Sequence, residues 1–453
     1  MNLSSCRGCR WAIWGAASLL LWSGIVAECV AGDWPRFLGP NGTGVSTDEK
    51  SPPTTWSETE NIRWKRPLPG PGVSCPIVVG DKIFVTCYSG YGTRGDDDGE
   101  MENLKRHLLC VARETGEVLW EKTVPAVLPE DPYRPPGVTS HGYASHTPVS
   151  DGERVYAFFG KTGVIAFDMQ GNQLWQTSVG TESGEQRWGS AASPIVHEDL
   201  VIVNASDEAE SLVALDKRTG EEKWTSKAGG LASTWGTPAM IVSPDGVDLV
   251  LSVPGEVWGF NPETGKLRWY APGQSDQSVS NSLVPGDGVV YVMGGRGNSA
   301  VAVKLGGKGD LADNVLWEGQ AAGRFGTPVL YEGHIYVVNG GVVSCHKADS
   351  GQRVFQERLA TAAQQDAPGG GGGRRGGGGF GRGQDYASPV VAGGKVYITT
   401  KTGNIHVIEA KPEFQQLATN DMTFDTSGFD ATPAVSNGQL FLRSNSTLYC
   451  IGE

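Results

Sequence analysis

The stretch from Ser145 to Trp175, SHTPVSDGERVYAFFGKTGVIAFDMQGNQLW, decides how the chain folds. It holds four short apolar runs separated by turn residues. Pro148-Val149 opens the first run, and Asp151-Gly152 turns the chain. Val155 to Phe159 makes the second, and Lys161-Thr162-Gly163 turns it again. Val164 to Phe167 makes the third, Gln170-Gly171-Asn172 the next turn, and Leu174-Trp175 the fourth. β-Branched and aromatic runs bounded by Gly, Asp and Asn read as strands joined by tight hairpins. Four such strands form a sheet too small to bury both its faces, so it needs copies of itself as neighbours.

The copies are present. The pair that heads the first strand recurs as Cys75-Pro76, Thr147-Pro148, Ser193-Pro194, Thr237-Pro238, Thr327-Pro328, Ser388-Pro389 and Thr432-Pro433. A degenerate eighth copy at Asn281-Ser282-Leu283 lacks the proline. Steps of 46 and 44 residues separate Pro148, Pro194 and Pro238, which suits one propeller blade of four strands. The closing aromatic recurs as Trp120, Trp175, Trp224, Trp269, Trp317 and Phe355. These residues belong on the outermost strands as a packing girdle between blades. Eight copies predict an all-β, eight-bladed propeller closed into a ring, because closure removes exposed sheet edges. The last copy offers three strands, ending in Thr447 to Ile451. Asn61 to Lys65 reads as a fourth strand without the first three, with Trp64 in the place of Trp175. A strand at about 62–66 is therefore expected to pair with Thr447–Ile451 and complete the last blade. A structural tryptophan set of Trp64, Trp120, Trp175, Trp224, Trp269 and Trp317 follows.

Composition fits this reading. The chain has 453 residues with 65 Gly and 19% charged residues, as turn-rich β proteins do. A net charge of −13 argues against a binder of nucleic-acid backbone. Arg7 and Arg10 precede an apolar run from Trp11 to Val26, and small residues follow to Ala31-Gly32. That layout reads as a secretory signal over 1–31, with a retained anchor or a lipidated Cys29 as alternatives. The expected product is exported, periplasmic or cell-envelope, with secretion also open, monomeric, and not transmembrane once cleaved. A lead-in segment spans 32–60, and the ring spans 61–453.

Five of the 8 cysteines lie in the expected mature part. Cys110, Cys345 and Cys450 occupy a third-strand slot that takes Ala or Gly elsewhere, so they read as small apolar filler. Cys87 with Cys110 is the one disulfide pairing worth considering. Asp96-Asp97-Asp98-Gly99-Glu100 lacks the alternation of an EF-hand loop and reads as solvated acid rather than a calcium site. The Pro-rich insertion Val124 to His141 is expected to lie over the ring as a flap. The Gly-rich stretch at about 360–384 reads as a flexible loop between blades six and seven.

No nucleophile elbow, zincin motif, P-loop or dinucleotide fingerprint appears. One constellation does recur. The residues entering the first strand are aromatic and polar in several copies: Arg187-Trp188, Trp235, Arg324-Phe325, Asp385-Tyr386 and Asp430, with His141 and His146 in the second copy. The first strand of each blade lines the central channel, so these residues are expected at one funnel-shaped mouth. Aromatic faces between cations and carboxylates suit a protein segment, a peptide or a glycan, or a flat anion.

The unit A-x-D-x-x-T-G-x-x-x-W, seen at Ala214 to Trp224, resembles the repeat of the pyrroloquinoline quinone (PQQ)-like propellers. That superfamily includes quinoprotein alcohol dehydrogenases and the non-catalytic periplasmic lipoprotein of the outer-membrane β-barrel assembly machine. The likeness covers roughly Trp34 to Glu453 and implies eight blades with a tryptophan-docked rim. The dehydrogenases hold their quinone against a vicinal disulfide and a bound calcium. This sequence has no adjacent cysteine pair, and no residue matches the calcium ligands or catalytic aspartate. The resemblance does not settle activity; the absent quinone-site features favour a scaffold or binding module that uses no cofactor and no metal. The alternative is an oxidoreductase with a divergent site binding PQQ with calcium, using Asp385 or Asp430 as base and Arg187 or Arg324 as clamps.

Overall fold

The computed structural model describes residues 32–93, 98–361 and 384–453. The expected signal segment, most of the Gly-rich stretch, and Asp96-Asp97 lie outside them. Eight antiparallel sheets follow one another along the chain. Blade two, the stretch quoted first, has strands Val149–Ser150, Arg154–Phe158, Val164–Asp168 and Gln173–Thr177. Blades one, three, four, five, six and seven begin at Ile77, Ile195, Ala239, Val284, Val329 and Val390. Blade eight takes Ala434–Ser436, Gln439–Arg443 and Thr447–Ile451 from the end of the chain. Its fourth strand is Ile62–Pro67, which pairs antiparallel with Thr447–Ile451. The ring is closed by joining both ends of the chain in one sheet. Among the described residues no helix is long and apolar enough to cross a membrane.

The residue before each inner-strand proline explains how neighbouring blades are held. The Cys75 amide donates to Thr147 Oγ1 at 2.9 Å, and the Thr147 amide donates to Ser193 Oγ at 2.9 Å. The series runs on through Thr237, Ser282, Thr327 and Ser388 to Thr432, each step between 2.9 and 3.1 Å. Thr432 then bonds to the buried Cys75 thiol, which stands where a hydroxyl stands elsewhere. The result is a circular belt with one bond between each pair of blades. An inner strand has an open edge toward the channel, so its first amide has no ladder partner. The neighbour's hydroxyl supplies one. Ser282 keeps its hydroxyl in the copy without proline, and the belt is unbroken there.

The outer rim is held differently. The indole N–H of Trp64, Trp120, Trp175, Trp224 and Trp317 donates to a backbone carbonyl of the following blade, at 2.9–3.2 Å. Each ring covers a glycine in that blade's last turn: Gly116, Gly171, Gly220, Gly265 and Gly351. All five have positive φ, and a Cβ at any of them would sit 2.4–2.8 Å from the neighbouring blade's side chains, chiefly the indole. The tryptophan pairs across its own sheet with a small residue: Cys450, Cys110, Ala166, Ala214 or Ala302. A bulge follows that slot in each of these strand pairs. The five cysteines in described residues are free and buried, Cys87 and Cys110 among them.

Trp269 departs from the series. Blade five replaces the usual last turn with an insertion whose Gly309–Asp310 adds a parallel fifth strand to blade four. No glycine turn remains to dock on, so Trp269 donates to Asp248 of its own blade and is buried beside Leu311 of the insertion. Blade seven has Ala418 in this slot, and Trp56 of the lead-in is buried in the same cluster.

The lead-in crosses the end of the channel where the inner strands finish. Trp34 exchanges backbone bonds with Val78 of blade one, the Ser150 amide of blade two donates to Pro35, and Val45 bridges Val391 of blade seven.

Two outcomes test this account. Thr327→Val should cost about 1–3 kcal/mol in a denaturant titration, because it leaves the Ser282 amide unpaired in the same volume, while Thr327→Ser should stay near wild type. Trp64→Ala should cost about 3 kcal/mol, and hydrogen exchange should speed up first in the Thr447–Ile451 strand it covers.

Candidate functional site at the channel mouth

Two sets of loops meet at the end of the channel where the inner strands begin. One set enters the first strand of each blade. The other turns from the second strand to the third. Both differ in sequence from blade to blade, while the belt and the rim hold the blades.

An arc of cations and aromatic rings runs round this mouth. Trp188 and Trp235, entering blades three and four, lie 5.4 Å apart between ring centres. The Arg296 guanidinium, from a turn in blade five, sits 5.9 Å from the centre of the Trp188 ring. Arg324 lies 4.9 Å over Phe325, and Phe325 stacks on Tyr386 at 4.4 Å. The Lys401 ammonium lies 4.9 Å over Tyr386 and 3.3 Å from Asp430. Burial and the neighbouring Arg296 charge draw the Arg324 guanidinium below its ordinary pKa. Each cation–ring contact contributes about 0.5–2 kcal/mol, more as water is excluded. Three cations are thereby presented from ring faces in a chain of net charge −13.

Under the arc, between blades one and three, lies a buried polar nest around a cavity of about 20 Å³, room for one water. Arg106 pairs with Glu130 at 2.6 Å. The Lys161 ammonium donates to Pro129 O and Ser183 Oγ, and Ser183 donates to Asp131 at 2.6 Å. The Pro-rich insertion supplies Pro129, Glu130 and Asp131, so it spans the mouth from blade one toward blade three. Asp207 and Glu208 come from the short helix Ser206–Ala209 in a blade-three turn. Ser190 donates to Glu208, and His146 Nε2 lies 3.0 Å from the Ser190 hydroxyl. Trp235 donates its indole N–H to Gly189 O and to Asp207. Burial raises Asp207 to about 7 and Glu208 to about 8, and it lowers His146 to about 3. Asp207 Oδ1, Glu208 Oε2 and His146 Nδ1 are buried without a hydrogen-bond partner.

The expected mouth residues divide accordingly. Trp188, Trp235, Arg324, Phe325 and Tyr386 form the arc. Asp385 is buried and accepts the Gly341 and Lys401 amides at 2.9 and 3.1 Å, so it fixes the loop that carries Lys401. Asp430 accepts from Asn445 and faces Lys401. His146 turns into the nest, and His141 bridges Ser145 and the Trp188 carbonyl. Arg187 is exposed, with φ of 51°, and Arg296 is the cation over Trp188. Arg296, Lys401, Asp207 and Glu208 went unread. All four lie in turns between second and third strands, and the recurrence of K-T-G at Lys161 and Lys401 was the available signal.

The family described as outer membrane protein assembly factor BamB matches residues 104–357, more than half of the chain. The chain belongs to this family. Its fold is similar to that of BamB from Moraxella catarrhalis, at 10% identity and a TM-score of 0.58, over 86% of this chain and 97% of that one. A computationally designed protein, Ika8, is similar at 11% identity and a TM-score of 0.53, over 88% and 99%. No curated protein matches the sequence. At these identities the likeness is one of fold. The eight blades, the rim and the repeat are those of a PQQ-like propeller resembling BamB.

At the mouth of this BamB-family chain two of the rings pack on each other. Phe325 and Tyr386 already cover each other's faces, and Arg324 covers Phe325. Among the described residues no three His, Cys, Asp or Glu side chains gather as cation ligands.

The nest sets a pH dependence. Carboxyls raised on folding stabilise the fold at low pH, and that stability is lost as pH rises toward their folded values. His146, lowered on folding, acts oppositely but only below its unfolded value near 6.5. Between pH 6.5 and 8 the carboxyls act alone, and stability should fall by roughly 1.4 kcal/mol per pH unit for each proton retained. Asp207→Asn with Glu208→Gln keeps the Trp235 and Ser190 bonds and should flatten the melting temperature across that window.

Proposed function

We propose that this protein is an exported, cell-envelope scaffold that holds a segment of another protein at the mouth of its channel, without catalysis. The observation that carries the reading is the arc of Arg296, Arg324 and Lys401 on the faces of Trp188, Phe325 and Tyr386, at the one rim where both loop sets meet. Guanidinium and ammonium groups fixed on rings are preorganised for carboxylates, and the ring edges beside them offer apolar contact. The arc therefore suits an extended segment with acidic and apolar or aromatic side chains. Membership of the BamB family supports a protein–protein role. The monomeric ring presents this face once per molecule, and net charge and arc together give no reason to expect nucleic acid.

The test measures binding of a panel of extended peptides to the purified chain by calorimetry. Acidic-aromatic peptides should bind one per chain. Arg324→Ala and Phe325→Ala should each weaken them by tenfold or more, and added salt should weaken them further. A second arm adds PQQ with Ca²⁺. Saturable one-to-one quinone binding with alcohol-dependent dye reduction would replace this reading with the oxidoreductase.

A further inference from the structure

The opposite end of the channel holds a second cavity, of about 570 Å³. It opens between the lead-in and the ends of the inner strands of blades three to six. That volume falls in the range of small-ligand sites. Its walls are largely apolar: Val45 and Pro40 from the lead-in, then Met240, Ile241, Val242 and Leu330 from the blades. Val242 is 72% exposed, an unusual position for valine on a strand that lines a channel.

Into this apolar space the lead-in places Arg36. Its Nε is buried with no hydrogen-bond partner, and no carboxylate among the described residues lies within ion-pairing distance. Asp287 lines the same cavity but is exposed on a hairpin turn at its edge. Across the cavity, His197 Nε2 is also buried without a partner. Gly42, held at φ +67°, makes room for the guanidinium: a Cβ there would sit 2.3 Å from it. Keeping an unpaired guanidinium against apolar walls costs free energy, unless an anion completes it. Arginine offers a planar fork that matches a carboxylate in two parallel bonds.

We propose that this lower chamber is a binding site for a small organic carboxylate, its anionic head on Arg36 and its apolar body along Met240, Ile241 and Leu330. The lead-in is then the part of the chain that makes the site, since it supplies the one cation and a wall of the chamber. The site is independent of the mouth, being at the other end of the channel and built from other residues. Ligand entering here would bind folded chain only, and so would raise its melting temperature.

The experiment uses the full chain and three matched probes: octanoate, octanol and octylammonium. Octanoate should bind one per chain by calorimetry, octanol at least tenfold more weakly, and octylammonium not measurably. Arg36→Gln should reduce octanoate affinity at least tenfold and bring it to the level of octanol, while Arg324→Ala at the mouth should leave it unchanged. A readout on the unaltered chain covers the case in which Arg36→Gln does not fold. Phenylglyoxal should modify Arg36, and octanoate should protect it, as seen by peptide mass spectrometry. Equal binding of octanol and octanoate, binding unaffected by Arg36→Gln, no protection of Arg36, or no octanoate binding at millimolar concentration would each overturn the proposal.

Discussion

One amide in each blade has nowhere to go within its own sheet, and the whole ring is arranged around that fact. The inner strand runs along the channel with an open edge, so the N–H at its start must find an acceptor elsewhere. The acceptor is the hydroxyl of the residue at the same place in the next blade. Because every residue is both donor and acceptor, the bonds close only when all blades are present. A buried amide without a partner costs about 1–3 kcal/mol, so a ring short of a blade would bear that penalty at the gap. The proline that follows holds the preceding residue extended, which aims its amide at the neighbour. Cys75 shows that the belt asks for an acceptor of modest size, not for oxygen.

The rim adds a second, independent bond between the same neighbours. A flat indole needs a flat surface, and a glycine at positive φ provides one where any side chain would collide. This makes the tryptophan and the turn glycine one feature split between two blades. It was legible in the sequence because both residues recur at the same place in most copies. The N-terminal strand was legible because the last copy lacks a fourth strand and Asn61 to Lys65 reads as one alone, with Trp64 in the place of Trp175; Trp64 then docks on Gly116 in blade one as Trp175 docks on Gly220 in blade three. The role of the residue before proline was harder to read. Its recurrence is plain, but Thr, Ser and Cys are ordinary in turns, and nothing local says that the partner lies some 45 residues away. The parallel strand at Gly309–Asp310 was not legible at all. Two residues carry no period, and only the missing docking turn hints that something else covers Trp269.

At the mouth, the legible part was the set of residues tied to the repeat. Trp235, Phe325 and Tyr386 each stand two residues before a belt residue, so the ring geometry alone brings them to the mouth, while Trp188 stands five before Ser193. The cations did not follow the same register. Arg187 and Arg324 precede their aromatics identically in sequence, yet Arg324 lies on its ring and Arg187 is exposed. The difference is local: Arg187 has a left-handed backbone, and the space over Trp188 is taken by Arg296 from blade five. A side chain long enough to reach the next blade is placed by that blade as much as by its own. Asp207 and Glu208 escaped notice because they sit in a turn that reads as solvated acid. They are buried beside Ser190 and Trp235, in the cavity that the Pro-rich insertion of blade one also lines.

The two ends of the channel are chemically unlike, and topology accounts for it. The mouth receives two loops from every blade, so its surface is assembled from sixteen separate short segments by the eightfold repeat. Charge and aromatic residues there can be exchanged without touching the belt. The other end receives the turns between first and second strands, two or three residues each, and the turns between third and fourth strands, which the rim tryptophans already cover. What that end lacks in loops the lead-in supplies. The segment before Ile62 crosses this end and brings Arg36 to a place where no first-to-second turn carries an arginine. A ring that closes through its N-terminal strand necessarily carries any preceding residues to that blade. Their length then decides whether they hang free or, as here, run back across the channel and become part of its wall.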